Sequence, residues 1–454
     1  MKPVSENEKI KLGVIGLGAR GKGQLGMLLG MDGVEVVSVC DVIDSRVSSG
    51  LQKIRESTGK EAKGYADYRD LINAGGIDAV LIFTSWQTHI RIAIAAMRKG
   101  IYAATEVGGA TSVEECWSLV RACEETGTPC MMLENANYGG KQLALLRMVK
   151  ENLFGELIHC TGAYQHDLRD EIGLGREINH YRFDHFVNRN AELYPTHEIG
   201  PLAKYLDINR GNRFMSLVSM SSKSKGLSKW YKESRRAWNS WVLDELNANY
   251  KGERPEKIEN YDMIGRDIAC GDVVTTMIKC ARGETITIVH DCTLARARLS
   301  NMRVQGTQGI YMGDSGQMYI EGTSPVEDQW ETSEPYFKEY EHPLWTETSA
   351  NRDKGSHGGT DHLVMSAFLD AVRRGVEPPI DVYDMAAWMA ITALSEDSIT
   401  LGSTSVVFPD FTGGRWMKRE PVSPSKYALD NIYWDCFKYI GIVLNNKSVP
   451  MIYL

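Results

Sequence analysis

Lys11-Leu12-Gly13-Val14-Ile15-Gly16-Leu17-Gly18-Ala19-Arg20-Gly21 decides the fold of this chain. The apolar run Lys11–Ile15 reads as a strand that ends in a GxGxxG turn, after which Leu25, Leu28 and Leu29 recur at helical spacing. Each glycine has its own task. Gly16 makes the tight turn, Gly18 lets a pyrophosphate approach the backbone, and Gly21 permits close helix–strand packing. The N–H groups and dipole of the helix start then face the phosphates. GxGxxG alone is a weak signal, but here it lies between a strand and a helix. Asp41 ends the second strand twenty residues after Gly21, where a carboxylate binds the adenine-side ribose diol. Val42 and Ile43 follow it, so no arginine waits there for a 2′-phosphate, which favours NAD over NADP.

Outward from this turn, residues 9–135 alternate between short apolar strands and amphipathic helices. Strands are expected at Val34–Cys40, Ala79–Phe83, Tyr102–Thr105 and Cys130–Leu133, with helical spacing at His89–Lys99 and Val113–Glu125. Such alternation makes a parallel sheet covered on both faces, an α/β Rossmann domain over residues 1–135. After Glu134 the pattern changes. A helix, Lys141–Lys150, leads into longer strands of antiparallel character: Leu157–Tyr164, Phe214–Ser221, Val273–Lys279, Thr285–Asp291 and Asn301–Gln305. Turns are expected at Gly283-Glu284 and at Gly306 to Gly309. Residues 136–420 therefore read as an α+β domain with a large open mixed sheet. The polar, aromatic stretches 166–192 and 223–258 are expected to decorate its cleft. Late helices Asp361–Arg374 and Asp384–Leu401 pack back on the body, and the tail 421–454, with its apolar Tyr433–Leu444, stays unassigned.

A chain of 454 residues exceeds one compact core, which agrees with two domains. Its 43% hydrophobic and 24% charged residues are those of a globular protein, and a net charge of −8 with interspersed signs gives no footprint for nucleic acid. The apolar runs are too short to span a bilayer. Met1 to Lys11 is polar and shows no signal peptide, so the chain as given reads as cytoplasmic; one cut after an export signal would look the same. The nine cysteines contain no CxxC pair, and Cys40, Cys160, Cys270, Cys280 and Cys292 lie in apolar runs as buried small hydrophobes. His357 and His362 have the wrong spacing for two ligands on one helical face, and no metal is expected.

Longer blocks carry a resemblance. They include Glu106-Val107, Glu134-Asn135, Gly162-Ala163-Tyr164-Gln165-His166-Asp167-Leu168 and Glu192-Leu193-Tyr194-Pro195-Thr196-His197. Asp207-Ile208-Asn209-Arg210-Gly211-Asn212-Arg213, His357-Gly358-Gly359 and Pro409-Asp410-Phe411-Thr412 add to them. From about Lys11 to about Lys418 the sequence resembles glycoside hydrolase family 109, within the glucose–fructose oxidoreductase and inositol dehydrogenase superfamily. The archetype of that family is an NAD-dependent α-N-acetylgalactosaminidase. The resemblance implies NAD contacts at Ala19, Arg20, Asp41, Trp86 to His89, Glu106, Val107, Asn135 and Tyr194. It implies sugar contacts at Tyr164, Arg182 and the run Tyr194–His197. Two departures stand out. The superfamily's dehydrogenases carry Glu-Lys-Pro where this chain has Glu106-Val107-Gly108, so their usual acid/base lysine is missing. Arg298 falls where the archetype has a sugar-contacting tyrosine, which leaves room for other glycosides, acidic ones included.

The chemistry so implied is oxidation of the sugar at C3, loss of the C2 proton with expulsion of the C1 substituent, addition of water, and re-reduction, with NAD kept throughout. NAD-dependent glycosidases are exceptions to the two-carboxylate rule. His197 is the candidate base for the C3 hydroxyl, three residues after Tyr194 and on the same face of a helical turn. Tyr164 is the candidate for the C2 proton and Tyr194 its rival; either phenol needs nearby positive charge from the nicotinamide, Arg182 or Arg20. Glu134 reads as an acid/base or as a strand-end structural carboxylate, Trp86 as a wall of the nicotinamide pocket or as packing, and His357 as structural or pocket-lining. His166 and Asp167 orient sugar or hold their loop. The competing activity is a net NAD-dependent sugar or polyol dehydrogenase. The second sheet could pair with a copy of itself, making a homo-oligomer.

Overall fold

The computed structural model describes residues 3–175, 178, 180–233, 242, 244, 268–348 and 357–437. Six parallel strands form the first sheet: β1 (Ile10–Ile15), β2 (Val34–Cys40), β3 (Lys63–Tyr65), β4 (Ala79–Ile82), β5 (Tyr102–Thr105) and β6 (Cys130–Met132), in the order β3-β2-β1-β4-β5-β6. The central strands β4 and β5 are buried throughout, which is why they read as unbroken apolar runs. Strand order reverses between β1 and β4, and ligands of such sheets bind outside the carboxyl ends at that switch. β3 was not expected from the sequence. It is an edge strand with two exposed residues, too short and too polar to leave a pattern.

The second sheet is mixed. Its strands are β7 (Leu157–Gln165), β8 (Phe214–Ser221), β9 (Val274–Cys280), β10 (Thr285–Asp291), β11 (Arg303–Gly306), β12 (Gly309–Met312), β13 (Gln317–Ile320), β14 (Glu331–Thr332) and β15 (Val406–Val407). They run in the order β14-β13-β12-β11-β7-β10-β9-β8-β15. β7 pairs parallel with β10 and antiparallel with β11. Both expected hairpins form, with Gly283 at φ 111° in the first. The helix Thr196–Tyr205 packs across β7, and Gly162 allows the approach: a Cβ there would lie 3.0 Å from the Glu198 carbonyl oxygen. This contact brings Tyr164 at the strand end to the helix start that carries His197.

The late helices are Thr360–Arg374 and Val382–Thr400. The second is buried on nearly every side, as an all-round apolar helix must be. The first returns to the opening sheet, where Arg373 donates to the carbonyls of Ser5 (2.6 Å), Glu8 (2.9 Å) and Gly33 (2.9 Å). The tail is part of the body as far as residue 437: Val422, Leu429 and Phe437 are buried, and Asp430 accepts from buried Lys204 at 3.2 Å. Within Tyr433–Leu444, Trp434–Phe437 forms a 3₁₀ turn and residues 438–444 lie outside the described residues. The stretch 223–258 contributes the helix Gly226–Glu233, and most of its later part lies outside them too.

Candidate active site

The glycine loop has the shape a dinucleotide needs. Gly16 sits at φ +93°, and a Cβ on it would meet the Phe83 carbonyl carbon at 2.6 Å; one on Gly21 would lie 1.9 Å from the Gly16 oxygen. A Cβ on Gly18 would find nothing nearer than Arg46 Nη1 at 3.6 Å, so this glycine faces space into which a ligand can enter. The helix Ala19–Leu29 begins with no side-chain cap and no acidic residue in its first turn, which suits an anion at its N–H groups. The Asp41 carboxylate accepts from the Leu17 N–H (2.6 Å) and the Ile43 N–H (2.9 Å). A carboxylate accepts at about four positions, so two remain for a diol. Arg46, in the first turn of the next helix (Asp44–Thr58), was not singled out in the sequence. The residues present fit NAD.

Two other expected cofactor residues, Arg20 and Asn135, converge on one carboxylate. Arg20 Nε donates to Glu106 at 2.6 Å, while its Nη1 and Nη2 grip Asp361 at 2.6 and 2.9 Å. Asn135 Nδ2 reaches the same Asp361 at 2.6 Å. Burial by itself would raise the Asp361 carboxyl, but hydrogen bonds from His357 and Arg20 hold it well below the usual carboxylate range. The Val107 carbonyl accepts from Trp86 Nε1 at 3.1 Å. His89 corrects the expectation placed on it. It is fully buried, its ring nitrogens lie at the Thr84 (3.0 Å) and Gly108 (3.3 Å) carbonyls, and its side chain props the pocket wall from behind.

The catalytic candidates meet beside this cradle. His197 Nδ1 lies 2.5 Å from Oε1 of Glu134, a carboxylate with no exposure, and His197 Nε2 lies 3.4 Å from the Tyr194 hydroxyl. With Glu134 holding a proton on Nδ1, Nε2 is left to act as a base. The Tyr164 ring stands 4.6 Å from that of Tyr194 and 5.5 Å from that of His197. Trp86 packs on Tyr194 at 5.5 Å and on Tyr181 at 4.9 Å, so it walls the pocket and fills space at once. Arg182 lies 4.6 Å over the Tyr194 ring and pairs with Glu171 at 3.1 Å. Burial pushes the Tyr164 phenol up to about 12 even with the Arg182 charge pulling it down. Arg182 is thus the cation beside this phenol, while Arg20 is committed to Glu106 and Asp361.

Behind Tyr194 and His197 lies a pair of acids that sequence reading passed over. Glu192 Oε1 accepts the Tyr194 N–H at 3.3 Å and Glu198 Oε2 the Val289 N–H at 3.1 Å. Burial raises Glu192 to about 8, and burial and the Glu192 charge raise Glu198 well above its ordinary value. Arg298 is exposed at the rim, next to Leu299, which bridges to Gln165 at the end of β7. Burial, then the Arg298 charge, hold the His166 imidazole below its usual range. Asp167 grips Arg169 at 2.8 and 2.7 Å and so holds its loop.

A family description, Glycosyl hydrolase 109, C-terminal domain, matches residues 138–418, and Oxidoreductase family, NAD-binding Rossmann fold, matches residues 10–134. The chain is 38% identical over 444 residues to an α-N-acetylgalactosaminidase of Tannerella forsythia, covering 92% of this chain and 90% of that one.

The chain belongs to glycoside hydrolase family 109.

A second relative, the α-N-acetylgalactosaminidase of Shewanella oneidensis, is 35% identical over 427 residues, 91% of this chain and 88% of that protein. Among solved structures, the fold resembles the WlbA dehydrogenase of Bordetella pertussis in complex with NADH and UDP-GlcNAcA. There the TM-score is 0.60 at 16% identity, over 90% of this chain and 100% of that one. Myo-inositol dehydrogenase of Lactobacillus casei, in complex with NAD(H) and myo-inositol, gives 0.57 at 16% identity. The family 109 chain therefore joins an NAD-binding Rossmann domain to a glycosidase domain with a large mixed sheet. Among its described residues no helix is long and apolar enough to cross a membrane.

Proposed function

We propose that this family 109 protein hydrolyses terminal α-N-acetylgalactosaminides by an oxidation–elimination cycle on a retained NAD. The observation that carries the reading is His197, held at 2.5 Å by a fully buried Glu134 and facing Tyr194, with Tyr164 beside both and the dinucleotide cradle next to them. Bound NAD supplies the acceptor and donor of hydride at C3, held by the glycine loop, Asp41, Arg20, Glu106, Val107 and Asn135. His197 Nε2 takes the C3 hydroxyl proton and later returns it. Glu134 stabilises the imidazolium meanwhile. A C3 carbonyl acidifies the neighbouring C2–H, and Tyr164 as phenolate removes that proton while the C1–O bond breaks and the aglycone oxygen takes a proton from solvent; water then adds at C1 as Tyr164 returns a proton to C2. Tyr194, packed on Trp86, is the rival for this step. Arg182 favours the phenolate of either ring through its charge and binds sugar hydroxyls. Val107 is buried where the dehydrogenases place a lysine, so the proton transfer at C3 falls to His197.

Arg298 at the rim suits an acidic or otherwise polar substituent, so the range of accepted glycosides extends past the one sugar. The exposed side chains of Met215 and Met220 on β8 and Met277 on β9 suit pairing with a second copy, which sedimentation would reveal. The main test follows chromogenic glycosides of both anomers, without added nucleotide, in deuterated water. Release of aglycone without net NADH, with deuterium entering at C2, supports the cycle. Stoichiometric NADH with an oxidised sugar would show a dehydrogenase in its place.

A further inference from the structure

Arg182 is the cation among the three tyrosines of the site, and a carboxylate from another segment holds it there. Its guanidinium carbon lies 4.6 Å over the Tyr194 ring and 5.8 Å over that of Trp86. Burial raises the phenols of Tyr164, Tyr181 and Tyr194, and at each of them the Arg182 charge gives the largest opposing pull. Arg182 Nη1 pairs with Oε1 of Glu171 at 3.1 Å, the two side chains being only 12% and 10% exposed. A second thread runs through His180. Its Nδ1 accepts the Arg182 backbone N–H at 3.3 Å, and its Nε2 faces the same Glu171 oxygen at 3.6 Å. Arg182 Nε, by contrast, is buried and finds no hydrogen-bond acceptor among the described residues. Glu171 is itself anchored. It lies in the helix Arg169–Gly173, whose Ile172 is fully buried and whose Gly173 sits against Trp230; a Cβ there would meet the Trp230 ring at 2.4 Å.

We propose that Glu171 is a positioning residue of the reaction, holding Arg182 over Tyr194 and beside Tyr164 so that its charge favours the phenolate that takes the C2 proton. The inference rests on the elimination cycle proposed above. Attraction between a guanidinium and a phenolate falls as the inverse of their separation, so the place of the cation matters. An aromatic face attracts a cation without fixing which way its plane turns, whereas a carboxylate fixes it through directed hydrogen bonds. Without Glu171 the long arginine side chain has other rotamers to adopt.

The experiment compares Glu171→Ala and Glu171→Gln in the NAD-loaded full chain, by crystal structure and by kcat and KM on p-nitrophenyl α-N-acetylgalactosaminide in deuterated water. Glu171→Ala is expected to release the guanidinium from the Tyr194 ring and to lower both aglycone release and C2 deuterium uptake about tenfold or more. KM rises as well, since Arg182 also binds sugar. Glutamine still presents an oxygen to Nη1, so Glu171→Gln should keep Arg182 in place and kcat within about threefold of wild type. If Glu171→Ala does not fold, Glu171→Asp sets the carboxylate back by one methylene and should draw Arg182 off the ring and lower kcat severalfold. Arg182 unmoved in Glu171→Ala (in Glu171→Asp if that variant must stand in), C2 uptake unchanged once Arg182 has moved, or equal losses in the alanine and glutamine variants overturn the proposal. Wild-type cleavage without deuterium at C2 would instead sink the elimination cycle, and the position of Arg182 in the variants would still decide whether Glu171 places it.

Discussion

Glu134→Gln keeps the size and shape of the side chain and removes one buried charge. The carboxylate is fully buried and lies 2.5 Å from His197 Nδ1, whose side chain is 21% exposed. When His197 takes up the hydroxyl proton, an imidazolium forms with its charge centre about 4 Å from that of the carboxylate. At an effective dielectric constant of about 20 this attraction is about 4 kcal/mol. The neutral ground state already enjoys part of it as a hydrogen bond to a charged group, worth about 1.5 kcal/mol at the low end. The difference, about 2.5 kcal/mol, is lost from the transition state, which slows turnover roughly 10²-fold. Glutamine can also turn its NH₂ toward Nδ1 and drive the ring proton onto Nε2, the tautomer that cannot accept, which would deepen the loss toward about 10⁴-fold. The assay is release of p-nitrophenol from the α-N-acetylgalactosaminide by the NAD-loaded variant, with kcat and KM taken separately and NAD content checked. Glu134 holds a base and not the sugar, so kcat falls and KM stays within a few fold. A variant that turns over within threefold of wild type would refute the dyad.

Three further expectations come from the geometry. Glu192 keeps its proton up to about 8 in the folded chain against an ordinary value of 4.5, so the folded state binds more protons across that window and stability falls as pH rises through it. Thermal unfolding measured from about pH 5 to about pH 8 should show this decline, and Glu192→Gln should flatten it; an equally steep decline in the variant would show that Glu192 is not its source. Gly21→Ala sets a methyl group 1.9 Å from the Gly16 oxygen and should abolish NAD binding or folding, as read by NAD content after gel filtration. Tyr164→Phe should cut both cleavage and C2 deuterium exchange by about 10²- to 10⁴-fold. Exchange that survives in Tyr164→Phe and vanishes in Tyr194→Phe would move the C2 step to Tyr194.

The legible parts of this protein are those written within one turn or one strand. The glycine fingerprint, the end of β2 at Asp41 and the buried runs of β4 and β5 are contiguous, and strand–turn–helix units repeat them. Tyr194 and His197 are three residues apart, and the structure does bring their side chains within 3.4 Å. The short strands Lys63–Tyr65, Glu331–Thr332 and Val406–Val407 left no trace, because partly exposed edges need neither length nor alternation. The resemblance implied a cofactor contact at His89, yet its helix turns it inward onto two carbonyls, a matter of rotation that a short stretch of sequence cannot express.

Residue order alone was enough to specify a nucleotide cradle, a mixed second sheet and a short tract that sets Tyr194 and His197 together, since these depend on neighbours along the backbone. Which carboxylate orients His197, and which secures Arg20, depended on folding: Glu134 is 63 positions from the first, and Asp361 is 341 from the second. An ion pair or hydrogen bond over such separations has no periodicity to announce it. It exists because strand order in the first sheet and the return of the late helix bring distant stretches of the chain together around buried carboxylates, where an unpaired charge would be too costly to leave unmatched.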